Sequence, residues 1–344
     1  MTMMKTALRT VATAALLAGM SVGAHAQEVT LKLHQFLPAQ ANVPKLILDV
    51  WADKVEADSE GRIKIDRFPS MQLGGTPPEL INQVIDGVAD IVWTVAGYTP
   101  GRFPQAEVFE LPFMMTNAEA TSRAYWDYAE ANLLDTEFKD FKTLGVWVHG
   151  PGVIHSKNPI TSVADLNGVK LRAPTRTTTQ LFTALGATPI GMPVPAIPES
   201  LSKGVIDAAV IPWEVTASLK MSELVGNHTE FGGESLYTTS FIFAMNKDKY
   251  DSLPDDLKAV IDNNSGLEFS AFAGKTQAGG DAPSREVAVA AGNNIITLTP
   301  EQVAEWKEAA AGVEADWIEN LNKTGLNGQA VVDQAKALIA KHTN

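Results

Sequence analysis

The chain has 344 residues, with 40 acidic against 27 basic side chains, a formal charge of −13, 45% hydrophobic residues and no cysteine. This is the composition of an ordinary globular protein, long enough for two α/β lobes. The acidic excess argues against nucleic acid and anionic membrane surfaces as partners, and disulfide or thiolate chemistry is closed to it.

The opening stretch, MTMMKTALRTVATAALLAGMSVGAHAQEV, reads as a secretory signal peptide. Lys5 and Arg9 form a basic start, Val11 to Met20 an apolar core, and Ala24-His25-Ala26 a cleavage site. Residues 1–26 are expected to be removed, leaving a periplasmic protein from about Gln27 with no direct membrane anchoring. Gly19 to Gly23 formally match the hydrolase pattern G-x-S-x-G, but a removed segment offers no strand-to-helix elbow for a nucleophile.

Val29 to Leu33 alternate as a strand and lead into His34-Gln35-Phe36-Leu37-Pro38, the first wall of a cleft. His34 is either a ligand contact or a histidine satisfied by backbone, and Phe36 is a candidate wall. Pro44 opens a helix with Leu46, Ile47, Val50 and Trp51 on one face. Gly61 ends it, and Arg62 to Phe68 form a strand. A helix from Pro78 to Asp86 and a buried strand from Ala89 to Val95 follow. The next loop, Ala96 to Pro104, is dense in glycine and proline yet holds Tyr98, Arg102 and Phe103, so it reads as a shaped surface. Trp93 and Tyr98 are candidate aromatic walls. Arg102 is either a second anion contact or bound to loop carbonyls.

Asn117 to Asn132 form a helix whose aromatic residues suit core packing or a partner face. The strand Thr143 to Val148 enters His149-Gly150-Pro151-Gly152-Val153-Ile154-His155, where the two histidines are either readers of a polar substituent or structural. From Gly168 to Glu214 the chain runs through short α/β units. Strands are expected at Val169 to Arg172, Ala187 to Met192 and Val205 to Ile211, with helices at Gln180 to Leu185 and Ile197 to Ser202. Arg172 precedes Ala173-Pro174 at one strand end, and Trp213 follows Ile211-Pro212 at another. Such carboxyl ends are where α/β folds bind ligands. Beyond Glu214 a helix runs to about Leu224, and Leu236 to Met245 read as a strand crossing back, with Phe241 a pocket candidate. A long helical region opens at Pro254 and is broken at Pro283. Helices led by Thr299-Pro300 and covering Ala330 to His342 close the chain.

DLNGVKLRAP at 165–174, LGATPIGMP at 185–193 and ESLSKGVIDAAVIP at 199–212 together resemble the solute-binding proteins of TRAP transporters. QLGGTPPELINQVIDGVADI at 72–91, VFELPF at 108–113 and NKDKYDSLP at 246–254 extend the resemblance over nearly the whole mature chain. It implies a two-lobed α/β periplasmic binding protein with mixed sheets, a cleft between the lobes and a long kinked helix spanning both. Residues 27–150 plus about 238–280 would form the first lobe, and 151–237 plus about 281–344 the second. It also implies that Arg172 holds a ligand carboxylate, a role suited to a planar guanidinium with paired donors, and that the partners are TRAP permease membrane subunits.

Many family members carry a further arginine near Gly152, and a polar residue where this chain has Ile211. Both departures suggest one anion anchor among apolar walls, hence an aromatic or branched aliphatic monocarboxylate, with a 2-oxo or hydroxy acid included. Trp213, Trp93 and Tyr98 would enclose its body. A C4-dicarboxylate receptor, with Arg102 or Arg176 as second cation, is the alternative. A periplasmic hydrolase or isomerase with dispersed residues is the alternative of another class. There is no H-E-x-x-H, G-x-G-x-x-G or P-loop, and no histidine spacing diagnostic of a metal, so neither catalysis nor a cofactor is expected.

Overall fold

The computed structural model describes residues 27–343; the expected signal peptide lies outside them. The first sheet has the order β2-β1-β3-β10-β4, with β1 at Val29–His34, β2 at Ile63–Phe68, β3 at Ile91–Val95, β4 at Phe141–Val148 and β10 at Ser240–Asn246. β1 pairs in parallel with β2 and β3, whereas β10 runs antiparallel between β3 and β4. All seven residues of β10 are buried, as a central strand covered on both faces requires.

The second sheet has the order β11-β9-β5-β8-β6-β7. Its strands are β5 at Gly152–Ser156, β6 at Lys170–Ala173, β7 at Thr188–Gly191, β8 at Ala208–Pro212, β9 at Asn227–Glu230 and β11 at Asn294–Thr297. Two strongly mixed sheets packed with helices make this a two-lobed α/β fold. The chain passes between the sheets after β4, again before β10, and along the helices Leu267–Gly279 and Asp281–Ala290.

Several expected boundaries move, each for a local reason. β5 lies within the expected histidine-bearing turn, because Gly152 pairs with Pro212 and Ser156 with Ala208. The helix placed at Gln180 begins at Arg176, where Thr175 caps it by accepting from the Thr178 N–H. The single helix expected after Glu214 is two short ones, Trp213–Thr216 and Met221–Leu224, so Trp213 and Glu214 are already helical. β9 and β11 lack the apolar run that marks a buried strand, and neither is expected from the sequence. The long helix divides at Gly280 instead of Pro283. Pro283 falls in the first turn of the second segment, where a missing N–H costs nothing. A Cβ at Gly280 would stand 2.0 Å from Asn42 Nδ2, so the close approach there requires glycine.

Two packing expectations also need correction. In the helix Asp49–Asp58 and the turn before it, Ile47 and Trp51 are buried but Leu46 and Val50 are exposed, because the 46/50 row lies about 100° around the axis from the 47/51 row. The last helix, Gly328–Thr343, sits on the first sheet's side, where Lys341 and His342 bond Asp127 and Thr343 bonds Thr116. The expected division had placed it in the second lobe. By contrast, the capped start at Thr299 is as expected: its N–H donates to Gln302 Oε1 at 2.9 Å, and its hydroxyl accepts from Gln302 N at 3.3 Å.

Candidate functional site

Where the carboxyl ends of β1, β3, β4, β6 and β8 converge, the two sheets enclose a small cavity of about 30 Å³. Phe36 and Leu37 enter from the segment after β1, Trp93 and Val95 from β3, and Tyr98 from the loop beyond. His149 follows β4, Arg172 and Pro174 end β6, Ile211 and Pro212 end β8, and Phe241 comes from β10.

The apolar part is an aromatic stack. Trp93 lies 4.6 Å from Phe36 at 16° and 5.2 Å from Phe241 at 28°, while Tyr98 meets Phe36 edge-on at 5.7 Å. These near-parallel spacings pack the rings face to face into a rigid aromatic wall.

Arg172 is the charged feature of this wall and is only 1% exposed. Its Nε donates to the Met192 carbonyl and its Nη1 to the Val210 carbonyl, both at 2.9 Å. Nη2 has no hydrogen-bond partner. No salt bridge to Arg172 occurs among the described residues. Burial depresses its pKa, and only the neighbouring Tyr98 and Tyr237 hydroxyls oppose that. A buried guanidinium without a counter-ion is costly, and an incoming carboxylate relieves it.

Tyr237 stands beside this cation, and its hydroxyl has no partner. A Cβ on Gly152 would come within 2.0 Å of Tyr237 Cε1, so the ring occupies the space that a side chain at 152 would fill. A neutral phenol therefore fills the space beside Gly152, the position near which the resembled family often has a further arginine and this chain has none. The Tyr98 hydroxyl accepts from the Val194 N–H at 2.9 Å and bridges the two sides of the cleft. At the mouth, Arg176 Nη2 donates to the buried Glu107 carboxylate at 2.5 Å, and Gly97 lies against Thr175 so closely that a Cβ would clash. These contacts describe a closed cleft. Arg176 is thereby engaged at the rim and is not a second cation inside the cavity.

Three expected site residues lie elsewhere. Trp213 turns away from the cavity: its Nε1 donates to Glu230 at 2.8 Å, and its ring packs on His155 and His228 at 5.0 and 4.8 Å. Arg102 donates to Asn82 at 2.6 Å and covers Phe103. His34 is fully buried, with Nδ1 on Gln83 at 2.7 Å and Nε2 accepting from the Leu73 N–H at 3.3 Å. His149 does line the cavity, but both its nitrogens are occupied. Nδ1 donates to the Gly150 carbonyl at 2.5 Å, so Nε2 accepts from the Thr239 N–H at 3.1 Å. Burial holds its pKa down at about 4, and it is a neutral structural element between β4 and β5.

Sequence reasoning missed Tyr237, Glu214 and Gln277, all of which line the cavity. Tyr237 had been absorbed into a strand, although the turn Phe231-Gly232-Gly233 just before it marks a crossing segment. Glu214 directly follows Trp213, and the larger aromatic residue drew the assignment. Burial raises the Glu214 pKa to about 8, so its carboxyl is protonated at neutral pH. Nothing in the local sequence of Gln277 distinguishes it from any helical glutamine. Among the described residues no group of three or more His, Asp or Glu side chains is placed to hold a metal ion.

The model of bacterial extracellular solute-binding protein family 7 matches residues 36–320. A TRAP solute binding protein from Rhodoferax ferrireducens T118, solved with copurified benzoate, is 52% identical with a TM-score of 0.90, covering 92% of this chain and 98% of that one. A marine metagenome TRAP solute binding protein specific for aromatic acid ligands, solved with 3-hydroxybenzoate, is 51% identical with a TM-score of 0.90, covering 93% of this chain and all of that one. The outer membrane transporter protein TsaT of Comamonas testosteroni is 28% identical over 339 residues, 96% of this chain and 98% of its own length. With its two mixed sheets, its cleft at the strand ends and this match over most of its length, the chain belongs to bacterial extracellular solute-binding protein family 7, the solute-binding proteins of TRAP transporters.

Proposed function

We propose that this protein is a periplasmic receptor that binds an aromatic monocarboxylate between its lobes and delivers it unchanged to TRAP permease subunits in the membrane. The observation that carries the reading is Arg172, a buried cation with no carboxylate partner and a free Nη2 in a wall otherwise built from Trp93, Phe36 and Phe241. The guanidinium, with the Tyr237 hydroxyl beside it, receives the carboxylate, and the aromatic stack receives the ring. The aromatic acids bound by the Rhodoferax and marine metagenome proteins support this choice. A dicarboxylate fits poorly, because its second anion would be buried without a cation. Nor is turnover expected, since Glu214 and Tyr237 are not arranged with a nucleophile.

Thermal shift on unfolded and refolded protein tests the reading, since refolding strips carried ligand and a true ligand raises Tm by mass action. Benzoate-type acids should raise Tm, while succinate and malate should not. A shift with the C4-dicarboxylates alone would reject the aromatic assignment.

A further inference from the structure

The cavity has a second polar pole that the carboxylate anchor leaves unused. Glu214 is 5% exposed and lines the cavity from the first turn after β8, on the wall formed with the long helix. Trp147 Nε1 donates to Gln277 Oε1 at 2.7 Å, which orients that amide so that its Nε2 donates to Glu214 Oε1 at 2.8 Å. Glu214 Oε1 is therefore the accepting oxygen of the acid, and the proton resides on Oε2, which has no partner. The other facing groups supply no cation. Asp281 Oδ1 accepts from the Glu214 N–H at 2.9 Å; Asn42 spends its Nδ2 on the Gln277 carbonyl at 3.1 Å, and its Oδ1, likewise without a partner, is the protein acceptor on the Glu214 side. Arg172, held by Met192 and Val210, belongs to a different wall.

An acidic side chain kept neutral in a ligand cavity donates a hydrogen bond without repelling the ligand's anion. The wall thus suits a neutral group that both accepts and donates, and it rejects a second carboxylate. We infer that Glu214 is a specificity-determining residue that hydrogen-bonds a ring hydroxyl of the aromatic acid anchored by Arg172. This inference rests on the aromatic-acid reading above. A phenolic oxygen accepts from Glu214 Oε2–H, whereas beside a bare ring that donor has only Asn42 Oδ1 to turn to. Sites built to bond a hydroxyl discriminate against analogues lacking it far more strongly than apolar pockets discriminate by a methylene.

Calorimetry on refolded protein, comparing benzoate with 2-, 3- and 4-hydroxybenzoate, tests this. At least one hydroxylated isomer should bind about tenfold or more tightly than benzoate. In Glu214→Leu that ratio should collapse toward one, and Glu214→Gln, which keeps a donor, should retain most of it. If all three isomers bind no better than benzoate in the wild type, the inference falls while the aromatic-acid reading stands. If none of the four acids binds, the aromatic-acid reading itself fails. An equal loss for benzoate and its hydroxylated analogue in Glu214→Leu would mean that the Oε2 proton is spent within the protein, toward Asn42, and would also overturn it. The wild-type ratio needs no variant to fold.

Discussion

Replacing Arg172 by methionine, close in volume but neutral, separates a ligand anchor from a structural arginine. In the closed structure the side chain makes two bonds to carbonyls and none to a carboxylate, and its third nitrogen is free. Losing one partner of a buried charge pair costs about 2–5 kcal/mol of binding, or roughly 30-fold to several-thousand-fold in Kd. The cost to the unliganded protein should be much smaller. The two charge-assisted bonds to Met192 and Val210 are lost, at about 1.5–3 kcal/mol each by their usual scale. Against this, the variant no longer buries an uncompensated cation, whose effective penalty is several kcal/mol. Calorimetric titration with benzoate, paired with the Tm of refolded ligand-free protein, reads both terms. The expected result is binding lost by at least about 30-fold with a shift of only a few degrees in Tm. Unchanged affinity would refute the anchor, and a collapse of ligand-free stability would mark Arg172 as structural.

Other expectations follow from the same geometry. Tyr237→Phe removes a hydroxyl with no protein partner, so it should leave the ligand-free Tm nearly unchanged and weaken benzoate binding by about 3- to 10-fold; equal affinities would show that the phenol does not reach the carboxylate. Gly152→Ala places a methyl 2.0 Å from Tyr237 Cε1 and should displace the ring, weakening binding at least as much as Tyr237→Phe, by the same titration. Stability should also depend on pH. Burial raises the carboxyl pKa values to about 7 for Glu110, Glu137 and Asp281 and to about 8 for Glu214, so all four favour the folded state while protonated and lose that contribution as pH rises through those values. His149, depressed to about 4, and the likewise depressed His34, His155 and His228 oppose this mainly below about pH 7, where unfolded histidines still bind protons. Between pH 7 and 8 the acids dominate, and ligand-free stability should fall by about 1–2 kcal/mol. A flat denaturation profile across that window would show that these carboxyls are ionised in the folded protein.

The sequence by itself determined the elements whose signals are local. Alternating or continuous apolar runs marked β1, β3 and β10, a Thr-Pro pair marked the capped start at Thr299, and an arginine at a strand end before Ala173-Pro174 marked Arg172 as the candidate anchor. Eight of the eleven expected ligand-site residues line the cavity, because carboxyl ends of strands converge in this class of fold whatever the loops between them. What tertiary structure alone decided is which side of each strand end faces inward. Trp213 and Glu214 are adjacent in sequence, and only the acceptor at Glu230 and the histidine pair on β5 and β9 draw the indole outward, leaving the carboxyl in the cavity. Tyr237 reaches Arg172 because Gly152, 85 positions away, has no side chain to occupy its place. Charge state is likewise a property of the enclosure. A glutamate carries the same residue letter on a solvated helix and in this wall, and only burial beside Gln277 and Asp281 keeps Glu214 neutral.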